Sequence, residues 1–143
     1  MVPGFPITIP IEVRWRDVDA FGHVNNAVFF TYLEMGRTAY YEAALKAFDI
    51  DQIDFMVVSA KCDYLSEVKK GDKIELGIRI PAIGNTSFDF EYELHSATDG
   101  KLLARGFTTQ VLYDYKARAK KPISQEWLEK VTKFEGREPV RRG

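Results

Sequence analysis

The chain is poor in the residues on which several common kinds of site depend. It has one cysteine, Cys62, and two histidines, His23 and His95. A single cysteine excludes an intrachain disulfide, and this supply of His and Cys ligands is poor for a zinc site. The sequence also has no GxGxxG phosphate loop and no GxSxG serine elbow. We therefore expect no metal and no cofactor, which leaves carboxylates as the candidate catalytic groups.

Net charge and long apolar runs are lacking too. Twenty basic and 21 acidic residues leave a net charge of −1, so no basic surface for nucleic acid is expected. No apolar run has the length of a membrane span, and the N-terminus MVPGFPITIP does not resemble a signal peptide. With 45% hydrophobic residues, the chain can bury one core. We predict one cytoplasmic domain over residues 1–143, with no nucleic-acid or membrane partner and a flexible tail from about 137 to 143.

Hydrophobic periodicity predicts an α+β chain. Residues 7–15 alternate as in a strand with one buried face, and apolar residues recur every three or four positions from about Asn26 to Phe48, as in a long helix. Turn residues separate four further extended segments, and Ser124 can cap a short helix that reaches about Phe134. These segments are 55–66, 73–83, 86–97 and 102–115. Gly36, near the middle of the long helix, predicts a close approach to a strand or to another subunit.

Polar residues gather immediately before this helix, in the stretch WRDVDAFGHVNN. Asp17 and Asp19 lie two residues apart, so in extended chain their side chains point to opposite faces and only one serves a site easily. A carboxylate beside a helix N-terminus can act as a base or nucleophile next to an oxyanion site. The alternative is a loop that Asp or Asn side chains cap. For Asp17 we favour a structural role, such as pairing with Arg14 or Arg16.

The stretch RDVDAFGHVNN, followed by an aromatic-rich helix, resembles the 4-hydroxybenzoyl-CoA thioesterase-like branch of the hotdog-fold superfamily. Its Asp, Gly, His and Asn keep their spacing relative to the helix start, and a weaker likeness extends from about Ile7 to about Tyr115. The resemblance implies a hotdog fold, in which a five-stranded antiparallel sheet wraps around one long central helix; the short C-terminal helix would follow. It also implies a homodimer or homotetramer with active sites shared between subunits.

The resemblance further implies an acyl-CoA thioesterase, with an acyl-CoA as partner. It selects Asp19 as the catalytic base or nucleophile. The backbone N–H of Asn26, seven residues later, would polarise the thioester carbonyl, as the positive end of a helix dipole favours. His23 is either an auxiliary donor or acid–base group, or only a loop hydrogen-bonding residue.

Candidate substrate-binding residues follow from the same likeness. Asn25, Gly22 and the aromatic residues have structural alternatives, which are helix capping, backbone conformation and core packing in that order. Lys61 is a candidate for contact with the coenzyme A phosphates. The resembled enzyme type has a basic cluster near 84–87, whereas this chain is neutral there, which leaves contacts with the pantetheine arm for Thr86 and Ser87. The candidates are Phe21, Gly22, Asn25, Phe29, Lys61, Thr86 and Ser87.

Two other functions stay open at the level of sequence. A hotdog hydratase or dehydratase acts on acyl thioesters with a His paired to a carboxylate, and His23 lies near Asp19. A non-catalytic module that binds acyl thioesters is disfavoured by the intact Asp19.

Overall fold

A computed structural model describes residues 1–142; Gly143, the end of the predicted tail, lies outside the described residues. A long helix, α1, follows the first strand, and a second helix, α2, lies near the C-terminus. No helix among residues 1–142 is long and apolar enough to cross a membrane. The elements are β1 (Ile7–Glu12), α1 (Asn26–Leu45), β2 (Phe55–Tyr64), β3 (Lys73–Arg79), β4 (Ala82–Ile83), β5 (Ser87–Ser96), β6 (Leu102–Asp114), β7 (Ala119–Lys120), α2 (Gln125–Glu135) and β8 (Val140–Arg141).

Five long strands form one antiparallel sheet in the order β1-β3-β5-β6-β2. Alternate residues of β5 point toward α1, and the four aromatic and aliphatic side chains Phe88, Phe90, Tyr92 and Leu94 are fully buried. A curled sheet and one helix bury each other's apolar faces in this way. The predicted α+β hotdog architecture, with its long central helix and short C-terminal helix, is confirmed.

Gly36 lies where α1 crosses the sheet most closely. A Cβ atom built at this position would lie 2.8 Å from Cδ2 of Leu76 on β3 and 3.5 Å from Cδ1 of Ile78. Carbon atoms in van der Waals contact lie about 3.5–4.0 Å apart, so a larger residue would push the helix off the sheet. The close approach to a strand that the sequence predicts is confirmed.

Three element boundaries differ from the prediction by three residues or more. β1 ends at Glu12 rather than at Trp15, because residues 15–17 turn into a 3₁₀ helix. α1 ends at Leu45 rather than near Phe48, because Lys46 takes a left-handed conformation with φ +58°. β3 ends at Arg79, and β4 begins only after Pro81, whose nitrogen cannot donate to a ladder.

Part of the segment predicted to be a flexible tail is held against the sheet. β8 pairs in parallel with β4, and the backbone N–H of Arg142 donates to the carbonyl of Ile83 at 2.8 Å. The Arg142 guanidinium forms an ion pair with the buried carboxylate of Asp89. This pairing joins residues 53 positions apart, which no local pattern in the sequence indicates.

Candidate active site

Two loops meet at the N-terminal end of α1. One is the loop of residues 18–25, and the other is the loop of residues 65–72 that follows β2. Backbone hydrogen bonds join them, from Val24 N–H to the Val68 carbonyl at 2.7 Å and from Lys70 N–H to the Gly22 carbonyl at 3.2 Å. These bonds place the polar residues of the motif at a fixed position beside the helix.

Asp17 anchors the first loop from inside the protein. Its side chain is only 1% exposed. The carboxylate accepts hydrogen bonds from Arg14 Nη2 at 2.9 Å, from Arg14 N–H at 3.0 Å and from the Tyr32 hydroxyl at 2.8 Å. Burial by itself raises the pKa of this carboxyl, but the bonds from Arg14 and Tyr32 outweigh burial and hold the pKa below its usual value. The structural role that we favour for Asp17 is therefore what its contacts show.

Asp19 is exposed on the opposite side of the loop. Its Oδ1 accepts hydrogen bonds from the backbone N–H groups of Phe21, at 2.9 Å, and His23, at 3.2 Å. Its Oδ2 makes no hydrogen bond within residues 1–142. One oxygen thus fixes the carboxylate, and the other is available to a substrate or a water molecule.

The start of α1 has one capped amide and one unpaired amide. Asn25 is the N-cap, and its Oδ1 accepts from the Ala27 N–H at 2.9 Å. The Asn25 N–H itself donates to the Asp17 carbonyl at 2.9 Å. The N–H of Asn26, the first helical residue, has no acceptor in the described chain. This amide carries the partial positive charge of a helix N-terminus and can bind an oxyanion.

Asp19, His23 and Asn26 line one cleft of about 460 Å³. Its wall also contains the buried ring of Phe29 and the loop after β2. The remaining lining residues are Val24, Tyr64, Leu65, Ser66, Glu67 and Val68. The cleft thus combines a carboxylate, a free helix-start amide and an apolar surface.

The imidazole of His23 faces a carboxylate other than Asp19. His23 Nε2 lies 3.7 Å from Glu67 Oε2, beyond hydrogen-bonding distance, and only the backbone N–H of His23 contacts the Asp19 side chain. The His–carboxylate pair of a hydratase is therefore not formed between these two motif residues.

The other predicted substrate-binding residues divide into two groups. Gly22 and Asn25 build the loop, with Gly22 at φ +82°, and Phe21 lies on its outside with its ring 85% exposed. Lys61, Thr86 and Ser87 do not line the cleft. Lys61 extends from the other face of β2 toward Asp63, at 3.6 Å.

Ser87 lies at the far end of the sheet from the cleft. It pairs with Val111, which pairs in turn with Met56 at the start of β2, whereas Tyr64 at the end of β2 lines the cleft. Eight residues of strand span roughly 26 Å. Within one protomer, Thr86 and Ser87 therefore cannot contact a group bound beside Asp19.

Tyr64 and Glu67 are site residues that sequence reasoning missed. Tyr64 lies inside the predicted strand 55–66 and is the last residue of β2, and its position opposite Asn26 depends on a contact between residues 38 positions apart. Glu67 belongs to the loop that the bonds from Val24 and Lys70 hold against the motif. Neither residue lies in the motif, so the sequence carries no local signal for either.

A larger cleft lies away from the motif, and residues 1–142 contain no cluster of metal-ligating side chains. Within residues 1–142, no three His, Cys, Asp or Glu side chains lie together in a way that could hold a metal ion. A cleft of about 640 Å³ lies at the opposite end of β2, where Ile53, Tyr115 and Lys121 are among the lining residues. It holds the larger volume but none of the motif residues.

The chain is similar to proteins of one family. A family model described as the thioesterase-like superfamily matches residues 13–131. A 1,4-dihydroxy-2-naphthoyl-CoA hydrolase from Nostoc punctiforme is 31% identical over 128 residues, 82% of each chain. A thioesterase from Thermus thermophilus, solved with coenzyme A and zinc, is 30% identical with a TM-score of 0.84, over 95% of this chain and 98% of that one.

A further relative matches over a shorter region. YsmA, an uncharacterised protein of Bacillus subtilis, is 30% identical over 82 residues. The match covers 57% of this chain and 56% of that protein, so this chain spans little more than half the length of that relative.

Proposed function

The chain belongs to the thioesterase-like superfamily of hotdog-fold hydrolases, and from this premise we propose that it hydrolyses the thioester of an acyl-CoA to a free acid and coenzyme A. One observation carries the proposal. The Asp19 carboxylate, with its Oδ2 unbonded, and the unpaired N–H of Asn26 line the same cleft. A thioester carbonyl bound between them would have an attacking group on one side and an oxyanion donor on the other.

Asp19 can act in this reaction either as a nucleophile or as a general base. As a nucleophile, Oδ2 attacks the carbonyl carbon, the C–S bond breaks, coenzyme A leaves as a thiolate, and water hydrolyses the acyl-aspartyl anhydride. As a general base, Asp19 takes a proton from water, whose oxygen attacks instead, and the proton then passes to the departing sulfur. In both cases negative charge develops on the carbonyl oxygen, where the Asn26 N–H and the helix dipole stabilise it.

The acyl group would lie against the apolar wall of the cleft. Phe29 and Tyr64 pack edge to face with ring centroids 5.1 Å apart, and Leu65 lies beside them. Such a wall suits an aromatic acyl group. The name of the Nostoc relative gives a bicyclic aromatic acyl-CoA as its substrate, which supports testing 1,4-dihydroxy-2-naphthoyl-CoA first, ahead of benzoyl and straight-chain acyl-CoAs.

The remaining site predictions depend on a second subunit. Because Lys61, Thr86 and Ser87 lie away from the Asp19 cleft, we propose that any contact they make with coenzyme A is with substrate bound in a partner subunit of a homodimer or homotetramer. Gly22 and Asn25 shape the loop, and we propose that His23, which lines the cleft, orients the substrate. The cytoplasmic location stays a prediction from the sequence.

Thiol release from a panel of acyl-CoAs tests the function. Wild type should release free coenzyme A, and Asp19→Asn should lower kcat at least about 100-fold, the usual order for loss of a positioned base or nucleophile. Asp99→Asn is the matched control, because Asp99 Oδ1 also accepts a backbone N–H two residues ahead, that of Lys101, yet Asp99 does not line the cleft. If the Asp19→Asn enzyme kept most of the wild-type kcat, Asp19 would be neither the base nor the nucleophile.

The same panel separates the alternatives. A hydratase would change the absorbance of an enoyl-CoA without releasing thiol, and a binding module would bind acyl-CoA without turnover. The His23 imidazole makes no hydrogen bond with the Asp19 carboxylate, so the His–carboxylate pair that the sequence suggests for a hydratase is not formed among residues 1–142.

A further inference from the structure

Tyr64 is the side chain that ties the edge strand β2 to the start of α1. Its hydroxyl donates a hydrogen bond to the backbone carbonyl of Asn26 at 3.1 Å. The ring packs edge to face on Phe29, with the centroids 5.1 Å apart. Both contacts reach the first turn of the helix, and the terminal turns are the parts of a protein helix that fray most readily.

Hydrogen bonds hold the backbone on both sides of Asn26. On one side, the Asn25 N–H donates to the Asp17 carbonyl, and the Asn25 side chain caps the Ala27 N–H. On the other side, Tyr64 binds the Asn26 carbonyl. The Asn26 N–H, between these two anchors, has no acceptor in the described chain.

Contacts between aromatic rings also link Tyr64 to Asp17. Phe29, which Tyr64 contacts, packs on Tyr32 with centroids 5.9 Å apart, and the Tyr32 hydroxyl donates to Asp17. The contacts of Asp17 and those of Tyr64 therefore meet within about the first two turns of α1.

We propose that Tyr64 is a positioning residue, which fixes the Asn26 backbone so that its free N–H points at the oxyanion. This inference rests on the proposed thioester hydrolysis. The Asn26 carbonyl belongs to the peptide unit after its Cα, and the free N–H belongs to the unit before it. Tyr64 therefore holds one side of this Cα while the Asn25 bonds hold the other, and together they limit the rotation that would turn the N–H away. Because a misplacement of about 1 Å can cost on the order of 100-fold in rate, a restraint on the donor affects kcat more than substrate binding.

Tyr64→Phe is the variant that isolates the hydrogen bond, since it keeps the ring against Phe29. We expect kcat to fall about tenfold, as a partial loss of positioning would give, while KM changes less than about twofold. Binding of an S-alkyl-CoA thioether, which has no carbonyl to polarise, should be unchanged. A kcat within about twofold of wild type, or a loss that appears equally in thioether binding, would overturn the proposal.

The matched control is Thr38→Val. The Thr38 hydroxyl also donates to a backbone carbonyl of α1, that of Glu34 at 3.2 Å, about three turns away from the free amide. This variant should keep wild-type kcat and KM.

Amide hydrogen exchange, followed by NMR without substrate, tests independently of activity whether Tyr64 holds the start of α1. Exchange of the Ala27 N–H, which is capped by Asn25, should speed up in Tyr64→Phe and stay unchanged in Thr38→Val. Unchanged exchange of Ala27 in Tyr64→Phe would show that Tyr64 does not hold the helix start. Absence of thiol release by wild type would instead refute the proposed function, so the two failures are distinct.

Discussion

Asp17 and Asp19 lie in one loop and have opposite surroundings. The Asp17 carboxylate is buried and bonded to Arg14 and Tyr32, whereas Asp19 faces the cleft with one oxygen unbonded. The two-residue spacing predicts that they face opposite ways, because side chains alternate in extended chain. The spacing does not tell which acid faces inward. The likeness to the hotdog motif supplies that choice.

Asp17→Asn should destabilise the protein and lower activity less than Asp19→Asn does. Asparagine cannot replace the charge that Arg14 and Tyr32 contact, and loss of a hydrogen bond to a charged buried group costs about 1–3 kcal/mol. Urea unfolding at neutral pH should show this loss. Because the folded-state pKa of Asp17 is lowered, its contribution is present above the unfolded pKa near 3.8 and disappears as the pH falls further.

Acid unfolding provides the check on this prediction. The difference in unfolding free energy between wild type and Asp17→Asn should shrink below about pH 4, because the wild-type carboxyl becomes protonated there. A difference that stays constant down to about pH 2 would contradict the assignment of the stability to the charged carboxylate.

At the scale of elements, the sequence predicts where α1 begins but not where it ends. The start follows from local chemistry, since Asn25 caps the first turn with its own side chain. The end depends on Lys46, which takes a left-handed conformation while its Nζ donates to the Ala43 carbonyl at 3.1 Å. Lysine has no preference for that conformation, so the end of the helix is set by packing beyond it.

One carboxylate of helix α2, that of Glu135, joins this helix to two other elements. Glu135 Oε2 accepts the Tyr40 hydroxyl at 2.5 Å and the Ile80 N–H at 2.9 Å, which joins α2 to α1 and to the end of β3. Burial raises the pKa of Glu135, although the bonds from Ile80 and Tyr40, and the charges of Arg137 and Arg79, partly oppose this rise. These contacts join distant segments, so the amphipathic pattern of α2 predicts the helix but not its fastening.

Glu135→Gln should flatten the pH dependence of stability above about pH 4.5. A raised folded-state pKa means that the contribution of Glu135 is fully present below its unfolded pKa of 4.5 and is lost as the pH rises through the folded value. Glutamine does not ionise, so its contribution to stability does not change with pH in this range. Melting temperatures of both proteins from about pH 4 to pH 8 measure the effect. A wild-type melting temperature that falls no more steeply than that of the variant would contradict it.

At the scale of the whole molecule, the sequence predicts the five long strands and the resemblance supplies their arrangement. Patterns of period two mark β1, β3 and β5, and turn residues separate β2 and β6 from their neighbours, but the order β1-β3-β5-β6-β2 depends on pairings between distant segments. The larger cleft and the attachment of β8 also depend on contacts between distant segments, so the sequence gives no local signal for them. The site is predictable at Asp19, His23 and Asn26 because all three lie in one short motif, whereas Tyr64 and Glu67 come from another part of the chain.

The free edge of β2 is the feature of the whole molecule that most needs a partner. β2 pairs only with β6 among the described strands, and Met56, Val57, Val58 and Tyr64 are exposed along it. An exposed apolar edge strand of ten residues is a template for pairing with another chain. Antiparallel pairing of β2 with its own copy about a two-fold axis satisfies both edges. The Phe55 end of one copy then lies beside the Tyr64 end of the other.

Such a dimer would complete the active site. The larger cleft, at the Phe55 end, would adjoin the Asp19 cleft of the other subunit, and Thr86 and Ser87 lie at that same end. This arrangement explains how Thr86 and Ser87, which lie at the opposite end of the sheet from the Asp19 cleft of their own protomer, could still contact a substrate.

Val58→Lys tests the assembly, because Val58 is 55% exposed and a lysine at an edge strand opposes pairing. Sedimentation of wild type should give at least twice the 16.4 kDa mass of one chain, and the variant should shift to the monomer and lose at least about tenfold in kcat/KM. Val140→Lys, at another exposed valine, on β8, should change neither mass nor activity. A wild-type protein that sediments as a monomer at assay concentration and still releases thiol would show that one chain holds a complete site, and the partner contribution would have to be abandoned.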